Sequence, residues 1–413
     1  MIAHPSAAAS EAVLAQDHQV RLLQGTEELF PALIAAMDMA LSDIRFETYI
    51  FDFTASGAAV AQALMRAARR GVRVQLVVDG VGTGALPALW ADAFGVAGVQ
   101  YRVYSPPGRL GLLLPERWRR LHRKLCVVDD CLLFCGGINV LDDLHDPNHG
   151  ALQAPRFDFA VQATGRLVKS ASEAMEQLWW RMQAMDEARQ RRLPAALGSL
   201  RAAAAARQAA RQADQAATSV RAALVLRDNV HNRSRIEKAY LRAIGGARHE
   251  IIIANAYFLP GRRLRRALVL AARRGVRVRL LLQGRYEYFM QYHAARPVYG
   301  MLLDAGVEIH EYAPSFLHAK VAVIDALGDR PWATVGSSNL DPLSLLLARE
   351  ANVVVEDAAF AADLRQRLLH AIVHAGHRMD PARYAGRPLR QRALDWVAFG
   401  LMRLALWAAG RRY

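Results

Sequence analysis

The stretch Leu121–Asn139, LHRKLCVVDDCLLFCGGIN, decides the fold. It sets His122, Lys124 and Asp129 in the spacing H-x-K-x4-D and ends on Gly136, Gly137 and Asn139. The spacing returns at His318, Lys320 and Asp325, followed by Gly336, Ser337 and Asn339. One H-x-K is weak evidence. Two copies, each ending in a small-residue turn and an Asn, are strong evidence. Residues i and i+2 of a strand share a face, so each His stands beside its Lys. The runs that follow, LCVVDD and VAVID, are apolar and β-branched, as buried strands are.

A His beside a Lys suits an anionic oxygen. The ammonium pairs with a phosphate while the imidazole acts as nucleophile or acid–base group. Asn139 and Asn339 add neutral donors for the same phosphate oxygens. Lysine usage sharpens the reading. Of 53 basic residues only Lys124, Lys169, Lys238 and Lys320 are lysines, and two of these four stand in the motifs. A compact ammonium at a single phosphate accounts for that choice, because arginine presents a planar fork.

The motifs resemble the signature of the phospholipase D superfamily, H-x-K-x4-D-x6-G-x2-N in two copies. The first copy fits in full. The second carries a four-residue insertion before Gly336, which implies a longer hairpin. Tyr299–Asp325 and AYFLP at Ala256–Pro260 resemble bacterial cardiolipin synthases, in particular the shorter, peripheral ones. The likeness spans most of residues 20–375. It implies a two-step mechanism with no metal and no cofactor, in which one His forms a phosphohistidine and the other is acid and base. His122 is assigned as nucleophile and His318 as acid–base group, although pseudo-symmetry makes the two roles interchangeable on paper. His122, Lys124, Asp129, His318, Lys320 and Asp325 are then the catalytic set. Asp158 and Glu350 occupy the places of the family acids that orient each His.

The chain has 413 residues, 53% of them hydrophobic, and a net charge of +15. That length fits two domains or one bilobal unit, and that charge favours an anionic partner. AARRGVRV occurs at Ala67–Val74 and again at Ala271–Val278, each time after a strand and a helix. A period near 200 residues reads as duplication rather than a solenoid. The expected fold is α/β: two pseudo-symmetric phospholipase D-like halves, each a mixed sheet flanked by helices, with the active site at their interface. The expected divisions are residues 1–180, an Ala/Arg-rich helical linker at 181–221 broken at Pro194 and Gly198, the second half at 222–376, and a basic, apolar tail at 377–413.

Locally, helices are expected at Phe30–Leu41 and Gly57–Arg70, and strands at Ile44–Phe51 and Val72–Val78. Cys126, Cys131 and Cys135 do not form a common zinc pattern and read as small apolar fillers in a reduced compartment. MIAHPSAAASEAVLAQDHQV lacks the basic start and continuous apolar core of a secretory signal.

Two stretches point to a membrane surface. Ser105–Arg120 sets Leu110, Leu112, Leu113 and Leu114 beside Arg117, Arg119 and Arg120, either as an apolar tip with a basic collar or as a loop folded onto the core. In the tail, Trp396–Ala409 is apolar apart from Arg403. Its fourteen residues fall short of the ~20 needed to cross a bilayer. It reads as a helix lying in the membrane surface, the other reading being a docked core helix. Tyr286, Tyr288, Phe289 and Tyr292 line a channel or pack in the core. His145 and His149 lie in a polar loop.

The activity expected from the resemblance is phosphatidyl transfer between two phosphatidylglycerol molecules, giving cardiolipin and glycerol. Its place is the cytoplasmic face of a bacterial inner membrane, held peripherally by anionic phospholipid, with no nucleic acid partner. The alternatives are hydrolysis of a phosphodiester, as a phospholipase D or a nuclease, and a non-enzymatic membrane-binding module. The apolar loop and tail argue against a nuclease, and the two intact motifs argue against the module.

Overall fold

The computed structural model describes residues 19–108, 119–146, 149–216, 222–228, 234–285, 289–341 and 348–408. The apolar loop at Leu110–Leu114, with Arg117, lies outside them, as do Tyr286 and Tyr288.

The chain divides into two compact units. The first comprises Met1–Asp142 and Ala160–Leu224, the second Asp143–Phe159 and Val225–Tyr413. This division differs from the boundaries read off the composition. Asp143–Phe159, downstream of the first motif, belongs to the second unit. The region 181–221 is no separate linker either. Helix α4 (Arg166–Arg189) runs straight through Arg181, and α5 (Leu193–Ala216) packs along it, with Ser199 Oγ donating to Glu187 Oε2 at 2.7 Å. The break falls at residues 190–192. Pro194 lies in the first turn of α5, where a missing N–H costs nothing, and Gly198 is carried inside the helix.

In the first unit α1 (Gly25–Met39) buries Leu29, Phe30, Leu33 and Met37, one helical face, against the sheet. The strands are β1 (Val20–Gln24), β2 (Asp43–Thr48), β3 (Arg73–Asp79), β4 (Gln100–Tyr104), β5 (Leu125–Val128), β6 (Leu132–Gly136) and β7 (Phe159–Thr164). They are ordered β1-β7-β6-β5-β2-β3-β4. Pairing is parallel from β2 to β3 to β4 and antiparallel from β2 through β5 and β6 to β7. Helices α2 (Ala55–Arg69) and α3 (Ala88–Ala97) cross over between the parallel strands. Gly71, at φ +92°, ends the turn after α2 in a conformation that favours glycine. The expected elements are present with ends shifted by a few residues, since strand pairing stops at Thr48 rather than Phe51.

The second unit repeats this order. Its strands are β8 (Ala222–Arg227), β9 (Glu250–Asn255), β10 (Arg277–Gln283), β11 (Glu308–Tyr312), β12 (Lys320–Ile324), β13 (Trp332–Gly336), β14 (Ala348–Val355) and β15 (Gly376–Arg378). They run β8-β14-β13-β12-β9-β10-β11-β15, so β15 is an added edge. Helices α6 (Arg235–Gly246), α7 (Arg262–Arg273), α8 (Phe289–Asp304), α9 (Ala358–Ala375), α10 (Pro381–Ala385) and α11 (Leu389–Ala408) cover it. The insertion in the second motif is a longer hairpin: Ile324 pairs with Trp332 across it, where Val128 pairs with Leu132.

The central strands are buried on both faces, which is why VVD-type and III-type runs replace alternating patterns. The residue inside each H-x-K faces the other side. Arg123 is buried against Glu47 at 2.8 Å, while the second unit places Ala319 and Ala254 at the matching positions. One unit fills this layer with an ion pair and the other with methyl groups.

Cys126 and Cys135 are buried fillers, as expected, but Cys131 is exposed on the β5–β6 turn. Burial pushes the Cys135 thiol up to about 12 and the Cys126 thiol higher still. One thiol is expected to react with a disulfide reagent in the native protein and all three in denaturant. Two or more fast native thiols would contradict this packing.

Candidate functional site

Both motifs enter their sheets at the same place. Lys124 directly precedes β5, and Lys320 opens β12. Each strand runs antiparallel to the end of the first parallel strand, with Leu125 paired to Glu47 and Lys320 to Asn255. His and Lys therefore stand at the carboxyl ends of the parallel strands, where ligands bind in open α/β sheets.

Each lysine curls onto the carbonyl of its own histidine. Lys124 Nζ donates to His122 O at 2.9 Å, and Lys320 Nζ donates to His318 O. Both lysines are buried, which fixes the ammonium beside the imidazole rather than letting it swing in solvent. His122 lies 4.9 Å from the Tyr49 ring, centroid to centroid, and Lys124 Nζ lies 5.4 Å from the same ring. Tyr49 follows β2, so the first motif has an aromatic wall.

In the second unit His318 Nδ1 lies 2.6 Å from Asp158 Oδ2. Asp158 is itself held: Oδ1 accepts from Phe159 N at 2.8 Å, and Lys320 Nζ lies 3.7 Å from Oδ2. The backbone supports the arrangement, with His318 N donating to Phe157 O at 2.9 Å and Phe157 N to Phe316 O at 3.0 Å. A buried carboxylate on Nδ1 fixes the tautomer, frees Nε2 for chemistry and stabilises an imidazolium. The sequence set Asp158 downstream of His122. The structure joins it to the histidine of the other motif.

Glu350 is fully buried on β14. Its Oε2 accepts from Ser337 Oγ at 2.5 Å, and Ala351 N donates to Ser337 Oγ at 3.0 Å. Gly336, just before Ser337, pairs with Asn352, and a Cβ there would fall 2.3 Å from Asn352 Cγ. That close approach is the reason for the glycine of the second motif.

Asn139 is buried, and its Oδ1 accepts from Ile50 N at 3.2 Å, which fixes the amide so that its NH2 group is the donor end. Asn339 is also buried. Its Oδ1 meets no donor among the described residues.

Asp129 and Asp325 need correction as catalytic residues. Each stands five residues beyond its lysine, roughly 17 Å along the strand. Asp129 accepts from the backbone N–H groups of Leu41, Ser42 and Asp43 at 2.8–2.9 Å. Asp325 accepts from Arg248, His249 and Glu250 at 2.7–2.8 Å. Both have positive φ, +50° and +47°, which aspartate tolerates better than most residues. They tie the far end of the motif strand to the start of its neighbour and do not reach the imidazoles.

The Asp129 carboxyl is pushed up by burial, but the hydrogen bonds from Asp43, Leu41 and Ser42 outweigh that and hold it below the usual carboxylate range. Its stabilisation is therefore complete above the unfolded value near ~3.9 and is lost as pH falls through the depressed folded value. Asp129→Ala is expected to lower stability at neutral pH by about 2–3 kcal/mol, with kcat of the folded fraction near wild type. Urea melts should show the gap closing in acid. A gap independent of pH, or a dead but stable enzyme, would contradict the anchoring role.

Two positions were missed in the sequence. Asp79 ends β3, and its Oδ2 accepts from Leu121 N at 2.7 Å while Oδ1 holds Val81 N and Gly82 N. Burial raises its pKa against those three hydrogen bonds. Gln283 ends β10, and its Oε1 accepts from Leu317 N at 3.4 Å and Arg285 N at 3.2 Å. Leu121 and Leu317 each precede a motif histidine. The signal was there in VVDG and LLQG, which follow the two AARRGVRV copies, but the two acceptors differ in residue type.

His149 lies 5.0 Å from the Phe316 ring, two residues before His318, with Nδ1 on Asp146 at 2.9 Å. His145 is exposed. Tyr292 packs against Arg296, whose guanidinium lies 4.2 Å from its ring.

The family model described as "Cardiolipin synthase, PLD-like domain" matches residues 33–154 and 240–372, one copy over each motif. The chain belongs to this family. Membership makes it a phospholipase D-like phosphatidyltransferase, an enzyme of phospholipid biosynthesis. Cardiolipin synthase B of Salmonella typhimurium is 34% identical over 397 residues, covering 94% of this chain and 88% of that protein. Cardiolipin synthase B of Escherichia coli K12 is 35% identical over 364 residues, covering 86% and 80%. Among solved structures, phosphatidylserine synthase of Haemophilus influenzae Rd KW20 superposes with a TM-score of 0.61 at 12% identity, over 96% of this chain and 97% of that one. That likeness concerns the fold, two phospholipase D-like halves. Among the described residues, no helix is long and apolar enough to cross a membrane, and no group of three or more His, Cys, Asp or Glu is placed to hold a metal ion.

Proposed function

We propose that the protein makes cardiolipin by moving a phosphatidyl group from one phosphatidylglycerol to another, with release of glycerol. The observation that carries this reading is the duplicated His–Lys pair, with Asp158 fixed on His318. The chemistry needs both imidazoles at one phosphorus. Nε2 of His122 attacks phosphorus, and the bond to the glycerol oxygen breaks. That oxygen takes the proton from Nε2 of the His318 imidazolium, which Asp158 stabilises. His318, now neutral, takes the proton of a second phosphatidylglycerol hydroxyl. The hydroxyl oxygen attacks phosphorus, and the phosphorus–nitrogen bond breaks. Lys124, Lys320, Asn139 and Asn339 supply the charge and hydrogen bonds for the phosphoryl oxygens. Glu350 holds Ser337, the residue after the glycine of the second motif.

The enzyme works at the membrane surface, peripherally and on the cytoplasmic face. Helix α11 supports this. It buries Asp395, Ala398, Phe399 and Met402 against the second unit and turns Trp396, Val397, Leu401 and Leu404 outward, each more than half exposed. One face docks, and the opposite face is apolar and open, which supports contact with a membrane surface. Removing the helix would strip Phe399 and Met402 from the core, which makes surface substitutions the cleaner probe.

The test is mass spectrometry of lipids after the purified protein meets phosphatidylglycerol vesicles. Cardiolipin with an equal amount of glycerol is expected. Phosphatidic acid without cardiolipin would make water the acceptor and the protein a phospholipase.

A further inference from the structure

Helices α7, α8, α10 and α11 of the second unit enclose a groove of about 930 Å³ that includes no motif residue. It is lined by arginines. Of its eight arginines two pair with carboxylates, Arg296 with Glu311 at 2.8 Å and Arg387 with Asp395 at 2.9 Å, and Arg265 lies 5.9 Å from the Phe399 ring. Arg262, Arg266, Arg273, Arg392 and Arg403 have no carboxylate within 4.0 Å among the described residues. The lining acids are Asp304 and Asp395, and Asp395 already holds Arg387 and, at 2.7 Å, His293. Five uncommitted guanidinium groups thus face one uncommitted carboxylate. Trp396 lines the same groove and begins the open apolar face of α11, which continues through Val397, Leu401 and Leu404.

Guanidinium forks match phosphate oxygens in pairs of parallel hydrogen bonds. A soluble phosphate would need only the arginines. An apolar helix face that starts at the rim needs a ligand that is anionic at one end and hydrocarbon at the other. We propose that this groove binds the phosphate of an anionic phospholipid while that lipid remains in the bilayer, at a site separate from the two histidines. Arg266, Arg273 and Arg392 hold the headgroup, and Trp396 with Leu401 and Leu404 rests among the acyl chains. The inference rests on the membrane-surface reading above and not on the two-histidine chemistry.

The test uses the full chain and a triple variant, Arg266→Gln/Arg273→Gln/Arg392→Gln, whose side chains are exposed and keep most of their stems. Flotation with vesicles of phosphatidylcholine containing phosphatidylglycerol should show affinity falling on the order of a hundredfold, about fivefold for each charge near an anionic surface. Turnover of a monomeric short-chain phosphatidylglycerol should be unchanged. A control triple at exposed arginines elsewhere, Arg69→Gln/Arg201→Gln/Arg242→Gln, should lose much less. Unchanged flotation of the groove variant, or an equal loss in the control, would overturn the site. Displacement from vesicles by dilute glycerol phosphate would assign the groove to a free phosphate ester and overturn the lipid occupant. Groove-dependent flotation in a protein that makes no cardiolipin would leave this inference standing and remove the proposed activity.

Discussion

His318→Ala should lower cardiolipin formation on the order of 10⁴-fold or more, and His122→Ala should do the same. Neither variant is expected to change vesicle binding or the melting temperature by much. His318 is partly exposed, its side chain at 23%, and its ring nitrogen Nδ1 lies on Asp158. The losses should not multiply in the double variant, because removing either imidazole already breaks the same two-step reaction. Without His122 no phosphorus–nitrogen bond forms. Without His318 the glycerol oxygen leaves as an alkoxide and the incoming hydroxyl keeps its proton. The measurement is initial rate on phosphatidylglycerol vesicles, with circular dichroism melts alongside. Substantial activity in either single variant would remove the two-histidine mechanism.

Asp158→Asn is the second large effect, a loss of about 10³–10⁴-fold in kcat. The geometry gives the reason. Phe159 N donates to Oδ1, so an asparagine at 158 keeps its oxygen there and turns its amide nitrogen toward His318. Nδ1 must then accept, the proton moves to Nε2, and the imidazole presents the wrong tautomer. The neighbouring Lys320, fully buried and 3.7 Å from Oδ2, also loses its counter-charge. A merely structural role would show in the melting temperature and leave the pH profile of the surviving activity in place. A positioning role should shift the kcat–pH profile, since the imidazolium is no longer stabilised. A stable variant with an unshifted profile and near-normal kcat would show that Asp158 does not orient His318.

These two expectations draw on information of different kinds. His122, Lys124, His318 and Lys320 were legible because spacing alone puts each pair at one end of one strand. Asp158 was legible as an acid in the right register, but its partner was not. The hydrogen bond joins positions 160 residues apart, and no local pattern says that Asp143–Phe159 packs with the second unit. Asp129 and Asp325 misled for the opposite reason. They share the motif with the histidines, and only the rise of a strand separates them from the chemistry. Asp79 and Gln283 escaped notice because an acid and an amide do the same job in the two units, accepting from the backbone N–H before each histidine.

The repeat AARRGVRV announced the duplication, and the two sheets share a strand order from β1 to β7 and from β8 to β14. The helical pair α4 and α5 was harder to read. Its Ala and Arg composition resembles a solvated linker, yet α4 buries Leu167, Ala171, Met175, Leu178 and Trp179 at helical spacing. Large apolar residues placed every third or fourth position outweigh the polar average around them. Helix α11 shows the converse. Apolar nearly all round, it could be read as docked or as lipid-facing; packing against the second unit buries Phe399 and Met402 and leaves Trp396, Val397, Leu401 and Leu404 exposed.

The most direct test of the account is to trap the covalent intermediate. His318→Ala should be given a phosphatidyl diester whose leaving group is p-nitrophenol, which departs without a proton. His122 can then attack, but no base remains to activate the acceptor, so the adduct accumulates. Peptide mass spectrometry should find a phosphatidyl group on His122 together with one equivalent of released p-nitrophenol. Release of p-nitrophenol with no adduct, or an adduct on a residue other than His122, would contradict it.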